Sequence, residues 1–162
     1  MSPPIKLTTS DQPPVILTVS RDALLSGSRV FSDVLSIKPE SQGTDQSIAV
    51  VETENDLKAF LLLIEGNGEQ AVLVLEKFSD GQWENLARLG VKYECPTILQ
   101  AIEAKIWQIE TEQGSAALAF TLATLTGNLD LIQYTAKRAV LIKNLQSPDF
   151  HATQEWKDRL AS

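Results

Sequence analysis

The sequence predicts an α+β domain, with a short sheet, a β-hairpin and flanking helices, followed by an all-α helical extension. Three observations predict it. Two β-rich runs flank a turn cluster near the start of the chain. Helical spacing of apolar residues dominates from residue 20 onward. No β-type alternation occurs beyond residue 115. The 162 residues suffice for one ordinary domain and a small helical annex. A hydrophobic content of 43 % with 22 % charged residues is ordinary globular composition, which excludes a chain disordered throughout.

Taken in order, IKLTT (5–9) and VILTV (15–19) read as strands joined by SDQPP, a cluster of turn-forming residues. Ser20 is placed as an N-cap, with Asp22 in the first turn near the positive end of the helix dipole. Gly27 ends that short helix. Ser28 caps a second one, whose Val30, Phe31, Val34 and Leu35 form a buried stripe, and Pro39 with the polar run after it stops the helix. IAVV (48–51) reads as a buried strand. Thr53 opens T-x-x-D, in which Asp56 answers the cap's own amide. Leu57, Phe60, Leu61 and Ile64 then recur at helical spacing, with Gly66 placed to end the helix.

The run AVLVLEKF (71–78) fits a strand or a helix equally well, because neither length nor β-branching arbitrates. Ser79 starts S-x-x-Q, a capping box, and Trp83, Leu86, Ala87 and Gly90 follow at helical spacing up to Tyr93. Cys95-Pro96 breaks the helix, and Pro96 opens the next, with Leu99, Ile102 and Ile106 inward. ETEQGS (110–115) is a polar link. Beyond it, helices are predicted over 115–126, 129–145 and 148–160. The expected organisation is a domain over 5–109 and a helical extension over 115–162 packed on it.

Net charge is −7, and it is uneven. Residues 1–114 carry about −8 and residues 115–162 about +1. An acidic surface repels phosphate backbones and anionic lipid, so neither nucleic acid nor a membrane is the expected partner. Cys95 is the only cysteine, so no disulfide can form within one chain. No signal-peptide pattern opens the sequence, and runs such as AFLLLI are far short of the ~20 residues a membrane-spanning helix needs. An intracellular location, cytoplasmic or nuclear, is expected.

There is no P-loop, dinucleotide fingerprint, H-E-x-x-H, C-x-x-C or G-x-S-x-G. His151, the only histidine, has no nucleophile beside it, and a helix-end surface residue is the expected role. Cys95 has no Lys or His beside it to lower its pKa, so packing at a helix junction is expected. Glu52, Glu54 and Asp56 form one acidic cluster and Glu110 with Glu112 another. Without calcium-loop spacing, both read as solvated helix caps. Trp83 and Trp107 read as core, whereas Trp156 lies in a sparser terminal helix. No enzyme activity, cofactor or metal is expected.

Read with its residues, this element order resembles the BTB/POZ domain. An apolar strand end, a basic residue, a Leu, a Ser and a Phe occur as Val19, Arg21, Leu24, Ser28 and Phe31. LKAFLLLIEG (57–66) is similar to the helix that precedes the family's apolar-aromatic stop. LARLGVKYECPTILQAIEAKI (86–106) looks like the family's helix ending in a Lys-Tyr pair, here Lys92-Tyr93, with its closing helix. The segment 118–141 resembles the helices that follow the domain in fungal members. The chain departs from the family pattern at Ser20, where a histidine is usual, and at Arg29, where a proline is common. Ile37-Lys38-Pro39-Glu40 is one residue longer than the apolar-x-acidic triplet of cullin-binding members.

The resemblance implies a non-enzymatic protein-interaction module, an adaptor to a cullin-type ubiquitin ligase scaffold. It implies partner contacts at Val34, Ile37, Lys38, Glu40 and Tyr93. The alternative is a self-associating scaffold whose partner is a second copy of the chain.

Overall fold

A computed structural model describes residues 2–37 and 46–146 of the chain. Lys38, Pro39, Glu40, His151, Trp156 and the helix expected over 148–160 lie outside the described residues. Over the described residues the protein is mixed α and β: a three-stranded sheet and eight helices. They divide into two compact units, and the boundary falls between Lys105 and Ile106, inside a helix.

In the first unit, β1 (Ile5–Thr8) and β2 (Ile16–Val19) pair antiparallel, with Ile5 opposite Val19 and Thr8 opposite Ile16. This is the expected hairpin. Alternation puts Ile5, Leu7 and Val19 on the core face, where each is at most 1 % exposed. β3 (Ser47–Ala49) pairs parallel to the other side of β1, giving the order β2-β1-β3. IAVV was expected to be a buried strand, and the structure corrects this. β3 has one strand neighbour among the described residues, Ile48 is half-buried and Val51 is exposed. Its β-branched composition serves an edge, not a centre.

Between β2 and β3 run α1 (Arg21–Gly27) and α2 (Arg29–Ile37). Ser20 and Ser28 cap them as read: the Ser20 hydroxyl accepts from the Ala23 amide at 3.4 Å, the Ser28 hydroxyl from the Phe31 amide at 3.2 Å. Phe31 and Leu35 carry the buried stripe of α2, and Val30 and Val34 are its half-buried shoulders. Gly27 is required by space. A Cβ there would lie 3.1 Å from the Cβ of Ile64.

α3 (Glu54–Ile64) buries Leu57, Phe60 and Leu61. It ends at Gly66, whose φ of +76° lets the Gly66 amide reach the Leu63 carbonyl and the Asn67 amide reach the Leu62 carbonyl. The ambiguous run AVLVLEKF is helical over its first five residues: α4 spans Gly68–Leu75, and the chain turns after it. α5 (Asp80–Lys92) starts with the full Ser79–Gln82 capping box and buries Trp83, Leu86, Ala87, Leu89 and Gly90. α6 (Pro96–Thr111) follows. Its inward stripe is Ile98, Ile102 and Ile106, all fully buried, while Leu99 is only half-buried. The expected register was therefore off by one residue at its start.

The second unit holds the end of α6, α7 (Ala116–Thr126) and α8 (Leu129–Gln146). Ser115 caps α7, and Gly127, at φ +70°, terminates it in the left-handed conformation. α7 packs on α8 through Ala119, Leu122, Ala123 and Leu131, all buried. Trp107 was expected in the core. It is half-exposed, with its ring tilted against Tyr134 at 5.2 Å between centroids.

At Gly90, α5 approaches α6 too closely for a side chain. A Cβ there would meet Cγ2 of buried Ile98 at 2.8 Å, and that β-branched side chain cannot swing away. Gly90→Ala should therefore lower stability by about 1–3 kcal/mol in urea unfolding, despite alanine's better helix propensity. Gly81→Ala, in the same helix with open space around it, should raise stability by up to ~1 kcal/mol. Equal effects of the two substitutions would contradict the packing described.

Candidate functional site

The site is built where three segments of the first unit meet: the start of α2, the segment after β3 and the turn between α5 and α6. Tyr93 sits at the meeting point. It is the C-cap of α5, and its amide donates to the Leu89 carbonyl at 2.9 Å. The next residue, Glu94, takes a left-handed φ of 47°. That conformation lets the Glu94 amide reach the Val91 carbonyl and the Cys95 amide reach the Gly90 carbonyl, closing the helix end. Pro96 starts α6 directly afterwards.

Each part of Tyr93 is occupied. Its ring stacks on Phe31 of α2, with centroids 4.7 Å apart and planes 11° from parallel, and tilts against Phe60 of α3 at 5.6 Å. Its carbonyl accepts from the Ser28 hydroxyl at 2.5 Å. Its phenol donates to Glu52 Oε2 at 2.6 Å. Lys92 pairs with Glu52 Oε1 and holds its ammonium 5.0 Å from the Tyr93 ring centroid.

Glu52 was expected to be a solvated cap, and the structure corrects this: its side chain is 9 % exposed. The Glu52 carbonyl accepts from the Ser10 amide at 2.9 Å, which ties the segment after β3 to the segment after β1, beyond their last paired residues Ala49 and Thr8. Burial pushes the Glu52 carboxyl up. The hydrogen bonds from Lys92 and Tyr93 and the Lys92 charge outweigh it, so Glu52 titrates below the ordinary glutamate value of 4.5. Burial first, then the Glu52 bond and charge, push the Tyr93 phenol well above its ordinary value.

Asp11 was read as a turn residue. Its carboxylate accepts from the Thr9 hydroxyl at 2.6 Å and from the Glu54 amide at 2.8 Å, so the hairpin loop caps α3 from 43 residues away. These bonds hold its pKa below the ordinary aspartate value. Asp56 was expected to accept from the Thr53 amide. It accepts instead from the Thr53 hydroxyl at 2.9 Å and from Asn85 Nδ2 at 3.2 Å.

Of the expected partner-contact residues, Val34 is half-buried on α2 and Ile37 is 80 % exposed at its end. Lys38 and Glu40 are outside the described residues. Tyr93 is 6 % exposed, so it acts as the support beneath α2 and offers a partner almost no surface. Cys95 is fully buried, and burial raises its thiol pKa to about 11, which keeps it protonated at neutral pH. In the second unit Glu110 is no solvated cap either. It pairs with Arg138 at 3.0 Å with only 5 % of its side chain exposed, and Arg138 also donates to the Gly114 carbonyl at 2.8 Å.

Among the described residues, no group of three His, Cys, Asp or Glu side chains is placed to hold a metal. Among them, too, no helix is long and apolar enough to cross a membrane. No protein-family model and no curated protein sequence matches this chain.

Glu52→Gln should cost about 1–3 kcal/mol at neutral pH, because it weakens charge-assisted bonds at a buried position. Glu52's depressed pKa makes its contribution fully present above pH 4.5 and lost as pH falls through the folded value. The stability gap between wild type and Glu52→Gln should thus close as urea titrations are repeated at lower pH. A gap independent of pH would contradict the linkage.

Proposed function

We propose that the protein is a non-enzymatic protein-interaction module of BTB/POZ type, an adaptor that presents the end of α2 to a cullin-type ubiquitin ligase scaffold. The observation that carries the reading is Ile37. A large aliphatic side chain, 80 % exposed, ends a helix whose other face is locked to the core. Phe31 on Tyr93 and the Ser28–Tyr93 bond hold α2 rigidly. A rigid helix end spares a partner the entropy of ordering it. Val34 lies one turn earlier on α2, half-buried, and extends the apolar surface toward the core.

The order of elements also supports this reading: hairpin, two short helices, a third strand, then helices. So does the arrangement of the quoted motifs. Arg21, Leu24, Ser28 and Phe31 lie within or between α1 and α2, and Leu24, Ser28 and Phe31 are buried at 0–2 % exposure. Lys92-Tyr93 forms the turn that receives α2. A motif of this kind works as a scaffold for the docking helix and supplies little contact surface of its own.

A second copy of the chain is the competing partner. Among the described residues, β2 and β3 each have one strand neighbour, and Ile16 on β2 is 61 % exposed. Open strand edges of this kind are templates for pairing between chains. Sedimentation across a wide concentration range decides: a mass that stays monomeric removes this reading.

The adaptor reading is tested by titrating purified cullin into the protein and into its Ile37→Asp variant. Binding should fall about tenfold or more in the variant, with unfolding midpoints unchanged, since the side chain lies in solvent. Absence of cullin binding by the unaltered protein, or binding indifferent to Ile37→Asp, would overturn it.

A further inference from the structure

The helix α4 carries a face that the other described residues of the first unit do not cover. At 100° per residue, Ala71, Val74 and Leu75 share its inner side; Ala71 is fully buried and the other two are half-buried. Glu69, Val72, Leu73 and Glu76 stand at i, i+3, i+4 and i+7 on the opposite side, and all four are exposed. Val72 is 53 % and Leu73 62 % exposed. A surface helix ordinarily turns polar residues to water along this stripe. Here two aliphatic side chains occupy its centre, with a carboxylate one turn before and one turn after.

Neither Glu69 nor Glu76 has an ion-pair or hydrogen-bonding side-chain partner among the described residues. Lys77 lies at the margin of the stripe. α4 has only eight residues, and its N-cap residue Asn67 makes no side-chain capping bond. A helix this short draws its stability from packing rather than from its own hydrogen bonds. Leaving its two most exposed aliphatic residues in water forgoes that packing, and a docked partner would supply it.

We propose that this face of α4 is a docking surface for a basic amphipathic helix, whose apolar stripe covers Val72 and Leu73 and whose lysine or arginine residues meet Glu69 and Glu76. Charge decides among occupants. A second copy of the chain would bring acidic stripe against acidic stripe, which is repulsive. Nucleic acid and anionic lipid are repelled for the same reason. A helix with two apolar side chains on adjacent turns, three or four residues apart, can cover Val72 and Leu73, and a lysine or arginine one turn before and one turn after complements Glu69 and Glu76. The surface is independent of the end of α2.

The test uses the full chain and two labelled helical peptides, one built of leucine and lysine in this pattern and one with glutamate in place of lysine, read by fluorescence anisotropy. The lysine peptide should bind at least about tenfold more tightly than the glutamate peptide. Its affinity should drop about tenfold with Val72→Ser and Leu73→Ser combined. Glu69→Gln with Glu76→Gln should weaken it several-fold and flatten its dependence on salt. Ile37→Asp should leave it unchanged, which separates this surface from the adaptor reading. Equal binding of both peptides, no binding of either, or indifference to the Val72 and Leu73 substitutions would overturn the proposal. So would self-association of the chain that the Val72 and Leu73 substitutions abolish.

Discussion

The Tyr93 side chain and backbone together hold the first unit in register. One residue terminates α5, stacks on α2, touches α3, receives a hydroxyl from the residue joining α1 to α2, and donates to the carboxylate that follows β3. Five contacts on one residue mean that α2 cannot move without disturbing the sheet end or the α5–α6 turn. The small sheet needs this support. Three short strands bury only one face, and a sheet of this size gains its stability from the helices laid against it.

Charge is handled in the same economical way. Two acidic side chains that look solvated in sequence and one in the hairpin turn are each taken up by a distant partner: Glu52 by Lys92 and Tyr93, Glu110 by Arg138, and Asp11 by the first amide of α3. A buried carboxylate left unpaired would be costly, and each of these is satisfied. Several other acidic residues, among them Asp22, Asp33, Glu69 and Glu76, are exposed. Apolar residues interrupt the surface on helices of the first unit, among them Ile37 at the end of α2 and Val72 with Leu73 on α4. Both stand out because the frame beneath them is fixed and polar groups surround them.

Much of the fold was legible because its signals are local. Ser20, Ser28, Ser79 and Ser115 each mark a helix start through a bond spanning three residues. Gly66 and Gly127 mark helix ends because glycine reaches positive φ without strain. Glu94 does the same work at the end of α5 with no glycine to announce it, at a conformational cost that the closing bonds and Tyr93's contacts offset. The short run 71–78 was undecidable by periodicity, and tertiary packing of Ala71 settled it as a helix. Of the candidate site, Ile37 was named only through the family resemblance, in the run Ile37 to Glu40. The roles of Glu52 and Asp11 were not, since their partners lie about 40 residues away and nothing in the neighbouring residues encodes them.

The dependence of the first unit on Tyr93 is most directly measured by a double-mutant cycle between its two ends. Ser28→Ala removes the bond to the Tyr93 carbonyl and Glu52→Gln alters the bond to its phenol, and Ser28 and Glu52 share no other partner described here. If Tyr93 transmits strain between α2 and β3, the stability losses should be non-additive, with a coupling of about 0.5–3 kcal/mol. Losses that add to within ~0.5 kcal/mol would contradict the account, because α2 and the strand end would then be held independently.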